Sequence, residues 1–121
     1  MSLLDVRVSV SKFGADSYAV AAGGELDPAT IEPLRERLGE VIDQGALRVL
    51  VDLTGVTFIE STALGVLVDA AKSIRSAGGQ MVLVADDPRI TRIIEITGLQ
   101  QILRVEDSLA EGVEELVRRP R

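Results

Sequence analysis

The sequence contains no cysteine, no histidine and no tryptophan, and its aromatic residues are limited to one tyrosine and two phenylalanines. Without cysteine there is no disulfide framework, thiol nucleophile or thiolate metal ligand, and without histidine there is no Ser-His-Asp triad and no ordinary proton shuttle near neutral pH. Most hydrolytic mechanisms are thereby removed. The scarcity of aromatics argues against a base-stacking platform. The excess of 19 acidic over 13 basic side chains, a formal net charge of −6, argues against a groove that neutralises phosphates, and Arg118, Arg119 and Arg121 do not reverse it. No apolar run approaches the roughly 20 residues of a membrane helix. Met1 to Leu4 lacks the basic and apolar regions of a secretory signal. The expectation is a cytoplasmic protein that neither enters a membrane nor binds nucleic acid directly. What is present is a chain of 121 residues, 46% of them apolar, able to bury roughly two-thirds of its surface as one domain ordered from about Leu4 to Arg118.

Two periodicities alternate along it. Leu4, Val6, Val8 and Val10 occupy every second position, as in a half-buried strand, and Phe13-Gly14-Ala15-Asp16 turns the chain into a second strand at Ser17 to Ala22. Asp27-Pro28 reads as an N-cap followed by proline at the first helical position, with Ile31, Leu34, Leu38, Val41 and Ile42 at helical spacing and Gly45 as the stop. Leu47 to Leu53 is a buried-strand run that ends at Thr54-Gly55. A second helix, from Ser61, carries Leu64, Leu67, Val68, Ala71 and Ile74 on one face and stops at Gly78-Gly79. Met81 to Ala85 is the next strand. Asp86-Asp87-Pro88 opens a helix with Ile90, Ile93 and Ile94 inside, which Gly98 ends. Ile102 to Val105 is a short last strand, and Ser108 with Glu111 forms a capping box before a helix that buries Leu109, Val113, Leu116 and Val117. The order ββαβαβαβα predicts an α/β fold with a mixed sheet, parallel through its centre because crossovers are right-handed.

Open sheets of this kind place ligand contacts at the carboxyl ends of their strands. Gly23 to Asp27, Thr54 to Glu60 and Asp86-Asp87 fall there, gathering Glu25, Asp27, Glu60, Asp86 and Asp87 on one rim. Such carboxylates suit a hard cation, but Asp27 and one of the Asp86-Asp87 pair already have work as caps, so neither a metal nor another cofactor is predicted. A small metal-dependent phosphatase or nucleotide hydrolase ranks last for the same reason. A phosphate-accepting receiver domain fits poorly, because the only lysines are Lys12 and Lys72 and the two opening strands have no helix between them. There is no G-x-x-x-x-G-K-[ST] and no G-x-G-x-x-G motif, and no base to activate a serine nucleophile. A binding module is favoured over an enzyme. Ser61 lies at the junction of the Thr54–Glu60 loop and the following helix, where its plain role is to cap the helix, worth about 1 kcal/mol.

Val51-Asp52-Leu53-Thr54-Gly55-Val56-Thr57-Phe58-Ile59-Glu60-Ser61-Thr62-Ala63-Leu64-Gly65 resembles the signature of STAS domains, and most of all that of bacterial anti-sigma factor antagonists. That pattern is an apolar strand ending in Asp-Leu, a short loop with a buried aromatic, then Asp-Ser-[Ser/Thr]-Gly-Leu-Gly opening a helix. Gly24-Glu25-Leu26-Asp27 before the first helix and Thr97-Gly98-Leu99 after the third are further marks, and the similarity covers nearly the whole chain in the right element order.

The resemblance implies a switch by partner exchange. Ser61 would be phosphorylated by a partner that is both a serine kinase and an anti-sigma factor. The unmodified form would hold that partner and free the sigma factor for transcription, and a serine phosphatase would restore it after release. The contact surface is expected from Glu25, Asp27, Glu60, Ser61, Thr62 and Leu64. Glu60 stands where the pattern has Asp and Ala63 where it has Gly, which bears on kinase recognition of Ser61 and leaves Thr62 as a second candidate acceptor. Related STAS proteins serve transporters, lipid-trafficking assemblies and signalling scaffolds without phosphorylation, and that is the alternative expectation. Oligomeric state is not predicted.

Overall fold

The computed structural model describes residues 6–118. Five strands, β1 (Arg7–Gly14), β2 (Ser17–Leu26), β3 (Arg48–Ile59), β4 (Gln80–Val84) and β5 (Arg104–Glu106), form one sheet in the order β1-β2-β3-β4-β5. β1 is antiparallel to β2, and every later pairing is parallel. The helices are α1 (Glu32–Asp43), α2 (Ser61–Ser76), α3 (Pro88–Ile96) and α4 (Leu109–Arg118). The expected element order and the mixed sheet are both present. Leu4, expected in the first strand, lies outside the described residues.

The central strands β3 and β4 are buried on both faces, so alternate residues face different layers. Val49, Val51 and Leu53 of β3 and Met81 and Leu83 of β4 pack with Leu34, Leu38, Leu67, Ile74, Ile90 and Ile94 from α1, α2 and α3. Leu50, Val82 and Val84 face the other way and meet Leu116 of α4. Among the described residues, three helices therefore cover one side of the sheet and α4 alone the other.

β3 does not end at Thr54-Gly55. It continues to Ile59, and β2 continues past Ala22 to Leu26, through the pairs Gly23↔Gly55, Gly24↔Val56, Glu25↔Phe58 and Leu26↔Ile59 with two register shifts. A Cβ on Gly55 would sit 3.3 Å from the Ala22 carbonyl oxygen and 3.3 Å from Gly23 Cα. The glycine that looked like a strand terminator is instead what lets two backbones pass closely at a bulge.

α1 starts at Glu32, with Pro33 in its first turn, rather than at Asp27-Pro28. Asp27 Oδ1 accepts the Ala29 and Thr30 N–H groups at 2.9 and 3.1 Å, and the Thr30 hydroxyl donates to the Glu25 carbonyl at 2.6 Å while accepting the Asp27 N–H at 3.0 Å. Asp27 thus closes a turn of its own, the alternative that Asp side chains offer to helix capping. Gly45 and Gly98 end α1 and α3 as expected, at φ values of +86° and +75°.

α4 corrects another expectation: of Leu109, Val113, Leu116 and Val117, only Leu116 is buried. The helix meets the sheet through Gly112, Glu115 and Leu116 instead. A Cβ on Gly112 would stand 2.7 Å from Val84 Cγ2 and 2.9 Å from Leu50 Cδ1, so the absence of a side chain lets α4 lie close. Glu115 is buried and accepts hydrogen bonds from Arg104 and Arg118 at 3.2 and 2.9 Å.

Candidate functional site

The carboxyl ends of β2 and β3 and the start of α2 meet at one corner. Glu60 is the N-cap of α2 with extended backbone angles, φ −122° and ψ 176°, and its side chain makes no cap hydrogen bond. Its backbone does the positioning. The Glu60 N–H donates to the Leu26 carbonyl at 3.1 Å, and its own carbonyl accepts from the Ala63 and Leu64 N–H groups at 3.0 and 3.2 Å. Ser61, the first helical residue, is exposed, and its hydroxyl makes no hydrogen bond to any described residue. The expected capping role of Ser61 is therefore corrected: the cap position belongs to Glu60.

Thr62 is exposed beside Ser61. Glu25 is exposed at the end of β2 across from Phe58, and Asp27 is half-buried in the turn that follows. These residues share a corner because Leu26 pairs with Ile59. Leu64 does not join them: it is 2% exposed, inside the larger core cluster, so its side chain offers nothing to a partner. Ala63 is fully buried in a regular turn, and no non-glycine residue among those described has a positive φ. This helix start needs no glycine there.

Asp86 and Asp87 follow β4, beyond β3 and away from the Glu25–Glu60 corner. Asp87 caps α3 by accepting the Arg89 N–H at 2.9 Å, and its Oδ2 pairs with the Arg89 guanidinium at 2.6 Å. The Arg89 side-chain hydrogen bond, seconded by its backbone N–H, holds the Asp87 carboxyl below its ordinary value of 3.8. Among the described residues no group of three or more acidic side chains is arranged to hold a metal ion.

Phe58 is 47% exposed, where the resemblance implied a buried aromatic. Val56 and Ile59 take the inward positions across the bulge, leaving Phe58 outside next to Glu25. Counting by twos from Leu53 reaches Ile59 and leaves Phe58 outside, as found; the residue it misplaces is Val56, which turns inward where the pairing with β2 shifts register.

The corner offers an exposed hydroxyl at a helix N-terminus, flanked by carboxylates and one exposed aromatic ring. The positive end of the helix dipole favours a dianion on that hydroxyl. No described helix is long and apolar enough to cross a membrane.

Residues 13–112 match the STAS domain, and the chain belongs to that family. An anti-sigma-B factor antagonist of Listeria monocytogenes is 30% identical over 104 residues, covering 86% of this chain and 91% of the relative. One of Staphylococcus aureus is 33% identical over 90 residues, covering 74% and 83%. The crystal structure of an anti-sigma factor antagonist from Mycobacterium paratuberculosis superposes with a TM-score of 0.87 at 23% identity, over 94% of this chain and 96% of that one. The Bacillus cell fate determinant SpoIIAA in its phosphorylated form gives 0.70 at 16% identity, over 90% and 98%. At these identities the two structures establish the fold alone.

Proposed function

We propose that this protein is an anti-sigma factor antagonist that binds an anti-sigma factor with serine kinase activity and is released when Ser61 is phosphorylated. The observation that carries the reading is the hydroxyl of Ser61: exposed, at the first position of α2, and engaged by no described residue. A residue with no structural duty at such a place is free to be modified without cost to the fold. The relatives named for this role, matched over most of their length, give the partner class.

A phosphate adds about −1.5 to −2 charge. At a helix N-terminus that is favoured by about 0.3–1 kcal/mol, so α2 stays formed. The change falls on the interface instead. A partner surface that approached a neutral hydroxyl must accommodate a solvated dianion beside Glu60, and a loss of about 3 kcal/mol there weakens affinity roughly a hundredfold. Glu25, Asp27 and Thr62 lie on the same contact surface, with Phe58 as an apolar anchor, since exposed aromatics at interfaces carry large shares of binding energy. A serine phosphatase restores the binding form.

Mass-spectrometric mapping of the protein isolated from its native cells tests the site. Phosphate on Ser61, absent from the Ser61→Ala variant, is expected. Phosphate confined to Thr62, or none under any growth condition, contradicts the reading.

A further inference from the structure

Two helices carry a glycine that the fold itself does not use. Gly39 lies inside α1 and Gly65 in the second turn of α2, and a Cβ at either would meet nothing within 4 Å. Neither has a positive φ. Gly112 is different, since α4 could not lie so close to Val84 and Leu50 with a side chain there. A glycine inside a helix is less stable than an alanine, because its backbone loses more freedom on folding. Gly39 and Gly65 carry that disadvantage with no contact in the fold to explain it. What glycine permits at such a position is the close approach of another body to the helix backbone.

Both glycines border one surface. α1 and α2 follow the parallel strands β2 and β3 on the same side of the sheet, and so run side by side in one direction. A groove of about 160 Å³ lies between them, floored by Leu38, Ile42, Val66 and Ala70 and flanked by Gly39 of α1 and Asp69 of α2. It is smaller than the roughly 300 Å³ at which small-molecule sites begin, but it has room for one apolar side chain. Thr62, Val66, Asp69 and Ser73 succeed one another at helical spacing, which carries the groove back to the start of α2. Gly65 stands one turn after Ser61 and one turn before Asp69. Asp69 is exposed and engages no described residue. A specific interface takes about 20–30 residues on each side, far more than the Ser61 corner supplies alone, and this groove is continuous with that corner.

We propose that the anti-sigma factor that meets Ser61 continues along α2, setting an apolar side chain into the α1–α2 groove and a basic one against Asp69, with its chain passing directly over Gly65. Resting on the Ser61 reading, this contact adds the surface by which that partner is chosen. From Ser61 to Ser73 it runs about 18 Å, at 1.5 Å per residue. A methyl group on Gly65 or Gly39 holds the partner off the helices, and a cation at position 69 meets a cation. Partner affinity is therefore set at three positions that do not touch the phosphorylated hydroxyl.

Purified wild type, Gly65→Ala, Gly39→Ala and Asp69→Lys, each incubated with ATP in lysate of the native cells, test this, with the initial rate of phosphate appearance on Ser61 read by mass spectrometry. Thermal melting of the same four proteins reads the fold. The two alanine variants are expected to melt about 4 °C above wild type and yet to acquire Ser61 phosphate about tenfold more slowly. Asp69→Lys is expected to melt as wild type does and to be phosphorylated about tenfold more slowly as well. Alanine variants that melt higher and are phosphorylated at the wild-type rate overturn the proposal and leave the Ser61 reading standing. Alanine variants that melt lower show that the glycines serve the fold, and overturn it too. A wild type that acquires no phosphate on Ser61 removes the Ser61 reading and this contact with it.

Discussion

The backbone N–H of Glu60 donates to the carbonyl of Leu26 at 3.1 Å, fastening the residue before Ser61 to the end of a neighbouring strand. At α2 the corner is therefore held by backbone, while Asp27 and Thr30 close the turn beside it. The Ser61 hydroxyl, the Glu25 and Glu60 carboxylates and the ring of Phe58 are carried by a frame that does not depend on them.

Removing the Ser61 hydroxyl should leave stability unchanged. Ser61→Ala is expected within about 0.5 kcal/mol of wild type in urea unfolding, because no described residue bonds that oxygen. A loss of 1 kcal/mol or more, the usual cost of deleting a cap of about that strength, would return Ser61 to a structural role.

Thr30 is a different case. Its buried hydroxyl bridges the Glu25 carbonyl and the Asp27 N–H at 2.6 and 3.0 Å. Thr30→Val keeps the shape and orphans both groups, at a cost of about 1–3 kcal/mol. Because the turn it closes carries Asp27 and borders Glu25, affinity for the partner should fall as well, without any change at a contacting side chain. Unchanged stability and affinity together would show that the turn is held by Asp27 alone.

Gly112→Ala weighs two effects of opposite sign. Alanine favours a helix by about 1 kcal/mol over glycine, but its Cβ would press on Val84 and Leu50, both fully inside. Overpacking of this kind costs about 1–3 kcal/mol, so net destabilisation is expected in urea unfolding. A stabilised variant would mean that α4 lifts from the sheet freely.

Asp87 sets a pH dependence of known sign. Its carboxyl is held below 3.8 by Arg89 in the folded chain, so the unfolded state binds the proton more readily and the stabilisation is present above that value and lost as the pH falls through the lowered one. Wild type should exceed Asp87→Asn in stability near neutral pH, with the gap closing on acidification below 3.8. A gap that persists there would assign the effect to capping rather than charge.

Element order was legible because each boundary had its own chemistry: Asp87-Pro88 opens α3, and Gly45 and Gly98 close helices at positive φ. What was illegible depended on neighbours in space. Gly55 reads as a strand end until Gly23 is found beside it. Asp27 reads as a helix cap until Thr30 is seen to complete a separate turn. Leu109, Val113 and Val117 have core periodicity, yet Gly112 chooses which flank of α4 faces the sheet. At the site, the motif located Ser61, but only the fold shows that Glu60 takes the cap and that Leu64 is inside.

The most direct test of the switch is a pulldown from lysate of the native organism with wild type, Ser61→Ala and Ser61→Asp as baits, the retained proteins being identified by mass spectrometry. Recovery of a serine-kinase-like ATPase on wild type and Ser61→Ala, and its loss on Ser61→Asp, is the predicted result. Retention of one partner equally by all three baits would contradict the account and point to a constitutive assembly subunit.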